Sequence, residues 1–503
     1  MNTAANSLAF YGLDNWRVNN RLTLNLGLRW EYLPHTYELN NRLANFNAAT
    51  YNRAMAPLFN SDGSMNPAGP GFSTINGTPF YLNGIVIAGA NGTPRSLVGT
   101  EHHDFGPRVG FAYQLDGTSS TVLRGGFGMF YERVSGGDTY DLGPNPPFSN
   151  TPSATNVYFS QPSTSDVTGE SAALPLFPSS LSALNPYYPV PLAMQYSLGI
   201  QRQLSPIAVV TLGYAGTKAI HQEDSGDINT VPLNDPNRLA ICGGNCGYNG
   251  TQYNANLDRN YPGWASISNS VNISNAVYNS LQAALSITTK HGLNISAAYT
   301  WAHAINFGES LDNPYDIAYD RGNSDLDRRQ VVKLSYYYSL PFFKSANSLL
   351  ARTALSGWQI SGITTMQTGL PVSATLGYDN TGLGGNETSR ADQVAPVKYL
   401  KTSTHWIDYS SFAAPAPLTF GNSARNSIYG PGLFNWDMAL YKSFQLGREN
   451  APRLELRGES FNIFNHTEFN TINNNFSNGP QQFGTPTSVY QPRLIQLGGS
   501  LSF

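Results

Sequence analysis

Five aspartates crowd the stretch DNPYDIAYDRGNSDLDRR: Asp312, Asp316, Asp320, Asp325 and Asp327. Closely spaced carboxylates are hard ligands of the kind calcium takes. The spacing departs from the EF-hand loop, where ligands fall at fixed positions and an acidic residue closes the set. The expectation is a solvated rim in which Arg321, Arg328 and Arg329 pair those carboxylates. Cys242 and Cys246 sit in CGGNC, inside a Gly/Asn-rich run. Two cysteines without nearby histidines do not fill a tetrahedral zinc shell. In an oxidising compartment they read as a small disulfide loop, with two unpaired thiols as the alternative. GGFG and GLGGN lack the strand–loop–helix setting and the lysine of a phosphate cradle. The histidines form no HExxH motif, and FGES and RGES, ending at Ser310 and Ser460, lack a nucleophile elbow's second glycine. These residues predict no catalytic centre, no cofactor and no metal, hence no enzyme.

One further set of charges is informative because of the element that must carry it. Arg453, Glu455, Arg457 and Glu459 alternate with Leu454, Leu456, Gly458 and Ser460. Period two is the signature of a β-strand, whose successive side chains point to opposite faces. The same alternation runs through RLTLNLGLRWEY, where Leu22, Leu24, Leu26, Leu28, Trp30 and Tyr32 take every second place. From Leu22 to Tyr32 is ten steps of roughly 3.3 Å, and a tilt of about 45° leaves a height of roughly 23 Å. That is near the apolar band of about 25 Å of an outer-membrane strand, whereas strands in soluble proteins usually run about 5–6 residues. Were the outside hydrocarbon, basic charges at its midplane would cost about 2–4 kcal/mol each. Four charges there would rival a whole domain's stability of about 5–15 kcal/mol. The ladder is therefore expected on a wet lumenal wall, with its alternating signs paired along the strand.

About thirteen such segments recur, mostly in pairs, within 503 residues. Charged residues make up only 12%, about half the usual share. Yet the mean hydropathy is −0.29, so Asn, Ser, Thr and Gln supply the polarity. The net charge of −3 gives no sign of a nucleic-acid partner. No run of about 18 apolar residues indicates a transmembrane helix, which a membrane barrel would not show. Links near residues 18, 117, 205, 291 and 448 are short, and PFFKSANSLLARTAL is the exception on that side. Alternate links are long, at 34–103, 134–193, 219–277, 306–328, 370–432 and 465–491, and rich in Gly, Pro, Asn and Ser. Short turns on one side and long loops on the other is the asymmetry of outer-membrane barrels. Aromatics collect near the outer ends of climbing strands (Trp30, Tyr32, Tyr131, Tyr214, Tyr299, Trp301) and the inner ends of descending ones (Tyr336, Tyr338, Phe444, Phe503), with Trp436 a further interface aromatic. Trp and Tyr favour the boundary between water and lipid. The fold class is all-β: a transmembrane antiparallel up-and-down barrel of outer-membrane type, incomplete, with about 13–14 strands present.

The series LDNWRVNNRLTLNLGLRWEY, VLRGGFGMFYER, QYSLGIQRQLSP, LGYAGTKAIH, AAYTWAHAI, DRGNSDLDRR, GWQISGITTMQTGLP, FGNSARNSIYGPG, LRGESFNIFNHTEFN and RLIQLGGSLSF, in this order, resembles the C-terminal barrel of TonB-dependent receptors, specifically the Oar-like, carboxypeptidase-regulatory-domain-bearing group. The resemblance spans nearly the whole chain. It implies an outer-membrane barrel of about 22 strands, plugged from its N-terminal side. Such a receptor takes up a bulky solute, such as a siderophore, glycan or peptide, with energy delivered by TonB through the plug. Residues 1–503 would then be the C-terminal part of the barrel in the cell outer membrane of a Gram-negative bacterium. The signal peptide, regulatory domain, plug and early strands would lie outside this sequence. Its partners would be outer-membrane lipid, the solute, and TonB only through the plug. Leu497, Leu501 and Phe503 resemble the C-terminal signal read by the barrel-assembly machinery. The rival readings are a passive porin-like channel, an outer-membrane phospholipase, for which no Ser/His pair is found, and a secreted adhesive β-protein.

Overall fold

The computed structural model describes residues 1–503 except 61–63, 118–119, 135, 150–177, 291, 309, 344, 346, 386–388, 446, 448–451 and 503. Phe503 and most of the turn before Arg453 thus lie outside the described residues. Thirteen long strands follow one another in chain order across one sheet. They are β1 (Leu8–Arg17), β2 (Leu22–Tyr32), β3 (Asp104–Gln114), β4 (Thr121–Tyr131), β5 (Leu192–Ser205), β6 (Ala208–Asp227), β7 (Trp264–Thr288), β8 (Leu293–Asn306), β9 (Gln330–Ser339), β10 (Trp358–Gln367), β11 (Leu433–Gln445), β12 (Arg453–Phe461) and β13 (Leu494–Ser502). Every neighbouring pair is antiparallel. Short strands Ser179–Leu184 and Gly322–Asn323 join at β7 and β8. Among the described residues, β1 and β13 each pair on one side only.

The register turns strand alternation into continuous rows, because directly opposed residues share a face. One row runs Trp16, Leu24, Phe111, Gly125, Leu198, Tyr214, Leu281, Trp301. The neighbouring row, on the opposite face, runs Thr23, Ala112, Arg124, Gly199, Gly213, Gln282, Thr300. Further along, Leu293, Tyr338, Ile360, Leu440, Gly458 and Leu497 align. The apolar face is bare: Leu198 is 51% exposed and Leu497 82%. A surface this apolar is costly in water and suits a hydrocarbon environment.

The compact cores lie elsewhere, chiefly in the long connections. One unites Ala374, Leu376, Ile407, Phe412, Ile428 with Ile472, Phe476 and Phe483. A second joins Leu43, Leu97, Val98 to Leu142, Leu184 and Tyr188. A third packs Phe46, Met65, Tyr81 and Leu181 on Trp264 and Ile267 of β7. The connections therefore form a folded cap at one end of the sheet. On the other side the links are short, and the 340–357 exception contains the helix Leu349–Leu355. The long link expected at 219–277 spans only 228–263, because β6 and β7 pair on to Asp227–Ser268. There β7 packs under the cap, so its polar run SISNSVNISN carries no lipid-type alternation to read.

Candidate functional site

The polar wall and the cap above it carry most of the charged and buried polar side chains of this fold. On β12 the ladder Arg453, Glu455, Arg457 and Glu459 stands opposite Gln445, Ser443, Tyr441 and Ala439, and on its other side Ser500, Gly498 and Gln496. The leucines of β12 face away, with Phe444 and Leu501. Arg453 lies 3.9 Å from Glu455 and Arg457 4.0 Å from Glu459. On β2, Arg29 and Glu31 form a further pair on this wall, at 2.9 Å.

The apolar face shows how the named aromatics sit. Trp30 donates to the His102 carbonyl at 3.0 Å and Tyr32 stacks on the His102 ring, both at the cap end of β2. Tyr131 ends β4. Tyr214 and Tyr196 both donate to Asn279 Oδ1, at 2.6 and 2.8 Å. Trp436 donates to the Tyr336 hydroxyl at 3.1 Å across β10. Tyr338 opposes Ile360, and Trp301 stays 53% exposed beside Leu281. The tyrosines need glycine beside them: a Cβ at Gly216 would strike the Tyr196 ring, and one at Gly362 the Tyr336 hydroxyl. A tyrosine directly opposite a strand glycine is the sequence-readable signal for this pairing, once register is known.

In the cap, Cys242 and Cys246 are joined as a disulfide with Cα atoms 5.8 Å apart. The aspartate rim differs from the expectation. Asp320 and Asp327 are buried rather than solvated; beside the backbone donors at Asn313 and Ala304, their side-chain partners come from a distant connection. Arg390 lies 3.8 Å from both Asp312 and Asp320, with its guanidinium over the Tyr319 ring at 3.5 Å. Arg425 pairs with Asp325, and Tyr429 donates to Asp327 at 2.9 Å. Arg328 instead donates to the Thr368 carbonyl. Burial and the adjacent Asp312 push the Asp320 carboxyl up to about 7. The physical reason for the difference is reach: loops that close over one another supply partners from about 70–100 residues away, which local spacing does not display. Two buried arginines brace the cap in the same way. Arg238 donates to the carbonyls of Leu233, Thr381 and Leu418. Arg259 bonds Asp227, Asn229 and Gly384. Sequence reasoning missed all four bracing arginines. Among the described residues, no cluster of three or more His, Cys, Asp or Glu is arranged to hold a metal ion.

A family model described as an outer membrane beta barrel domain matches residues 1–496. The chain matches none of the curated proteins. Similar solved structures include the outer membrane transporter YddB from Escherichia coli, at 9% identity over 99% of this chain and 54% of that one, with a TM-score of 0.47. Another is Pseudomonas aeruginosa FpvA bound to heterologous pyoverdines, at 12% identity over 98% and 38%, TM-score 0.40. A third is the siderophore receptor PiuA from Acinetobacter baumannii, at 10% identity over 98% and 42%, TM-score 0.40. The chain spans between 38% and 54% of the length of these proteins.

Proposed function

The chain belongs to the outer membrane beta barrel domain family, and from that premise we propose that it is the C-terminal part of the barrel of a TonB-dependent receptor of the Oar-like group, serving uptake of a bulky solute. The observation that carries this reading is the pairing of a bare apolar face with a polar wall under a cap that has its own cores. A porin-like channel needs an open mouth for free diffusion. A receptor needs a preorganised outer surface that selects first and admits afterwards. The ordered resemblance of the sequence to Oar-like receptors supports the same assignment.

Within it, Arg453, Glu455, Arg457 and Glu459 line the passage. Trp30, Tyr32, Tyr131, Tyr214, Trp301, Tyr336, Tyr338 and Trp436 anchor the wall at the lipid boundaries. Leu497, Leu501 and Phe503 engage the barrel-assembly machinery, and deleting Phe503 from the native gene product should lower outer-membrane insertion. The deciding experiment expresses the native gene in its host with TonB present or deleted, and follows by mass spectrometry which medium components are depleted. Depletion that requires TonB supports the reading. TonB-independent depletion, with steady ion conductance of the purified protein in planar bilayers, would replace it with a passive channel.

A further inference from the structure

At the end of the sheet opposite the cap, neighbouring strands are joined by turns of a few residues, such as 18–21 and 289–292. The link from β9 to β10 departs from this, being long enough to hold the helix Leu349–Leu355. Its large apolar side chains stand open. Phe342, Phe343, Leu350 and Leu355 are all exposed, Leu350 at 78%. The stretch 341–355, PFFKSANSLLARTAL, also carries Lys344 and Arg352 and no acidic residue.

Two contacts fix the side of the sheet on which the helix ends. Lys442 of β11 lies directly opposite Trp358 and Leu456, so it belongs to the apolar face. Its ammonium donates to the Ser356 carbonyl, just past the helix. The Trp358 indole donates to the Ala354 carbonyl at 3.1 Å. Lys442 is only 2% exposed, with Nζ 5.3 Å from the centre of the Trp358 ring and 4.9 Å from that of Phe444. An ammonium on an apolar face needs an acceptor, and the carbonyls at a helix C-terminus are unsatisfied and carry partial negative charge. The link is therefore tied to the lipid-facing side of the sheet rather than to the polar wall. Through Leu340, whose N–H donates to the Trp358 carbonyl, its exposed side chains continue the apolar surface of β9 and β10. Aromatic rings and leucines beside basic charge suit a headgroup layer, where apolar side chains reach the acyl boundary and cations meet lipid phosphates.

We propose that the 341–355 link is a membrane anchor, lying in the phospholipid headgroup layer opposite the cap with Phe342, Phe343, Leu350 and Leu355 dipped into the acyl boundary. The anchor is independent of the transport reading and rests on the membrane placement of the apolar face. The test uses the full chain inserted into vesicles of phosphatidylethanolamine with phosphatidylglycerol. Because Cys242 and Cys246 are bonded to each other, the Leu350→Cys variant takes a bimane label at that position alone. Its fluorescence is quenched in turn by a phospholipid spin-labelled near the headgroup and by iodide present on both sides of the bilayer. The lipid should quench at least about threefold more than iodide, and Phe342→Cys should behave alike. Leu440→Cys on the apolar face serves as the lipid reference and Val394→Cys in the cap, at an exposed position, as the aqueous one. Iodide dominating at both 342 and 350 while Leu440→Cys stays lipid-quenched would place the link in water and overturn the anchor alone. Protection from both quenchers would place it against protein, such as a second copy of the chain, and overturn the anchor equally. Iodide quenching at Leu440→Cys as strong as at Val394→Cys would remove the lipid face and the anchor together.

Discussion

The sheet and the cap solve opposite problems with the same residue types. Leucines and tryptophans of the sheet stay exposed: Leu198, Leu212, Leu281, Trp301 and Leu440 all leave more than a third of their surface open. In the cap, Leu43, Leu142, Leu184, Ile407 and Trp264 are at 1% or less. The sheet holds itself by backbone ladders and relies on its surroundings to cover apolar side chains. The cap is stabilised as a water-soluble domain is, by close packing and by buried polar groups that bond across the connections. A single chain therefore carries two stabilities answering to two solvents, and perturbations should separate them.

The largest effect is expected where the cap is densest. Trp264 is 1% exposed, packs on Tyr81 and donates to the Asn83 carbonyl. Trp264→Ala should destabilise the cap by about 3–5 kcal/mol. Limited proteolysis should then cut the connections while the sheet keeps its heat-modifiable migration on gels; loss of both together would deny their independence. The converse comes from the apolar face. Leu212→Arg should cost about 2–4 kcal/mol in urea titrations of vesicle-inserted protein. Thr211→Arg, on the polar face, should cost little, and equal costs would mean that the faces are misassigned.

Smaller effects refine the cap. Cys242 and Cys246 close a short loop, so Cys246→Ser should cost about 2 kcal/mol by the loop-entropy relation, read as earlier proteolysis of the cap alone. Asp320 titrates near 7 when folded and at its ordinary 3.8 when the cap opens. Its site holds the proton more tightly folded, so its contribution to cap stability is full below the ordinary value and disappears as pH rises through about 7. Cleavage of the 307–329 connection should therefore speed up by at least ~10-fold between pH 4 and pH 8, and Asp320→Asn should flatten that rise. Least affected is the ladder: Arg457→Gln breaks one half-exposed pair and should cost under about 1 kcal/mol, in the same urea titration.

Much of the sheet is legible without coordinates. Strand positions at Leu22–Tyr32 or Arg453–Phe461, the order of short and long links, and the face of the charge ladder all follow from alternation. A one-residue slip would swap leucine for arginine across an entire face. The extension of β6 and β7 beyond that belt is not legible, since above the lipid neither face must be apolar. The paired partners of Asp312, Asp320 and Asp325 were also out of reach, since Arg390 and Arg425 lie 70–100 residues away along the chain.

By itself, then, the order of residues determined which segments become strands and which side of each meets hydrocarbon, because period two is imposed locally by backbone geometry and by the two solvents. Only the tertiary structure decided that the long connections fold over one another into cores, and which arginines brace them. Those outcomes depend on contacts between distant segments, and chain closure leaves no periodic trace in the segments it joins.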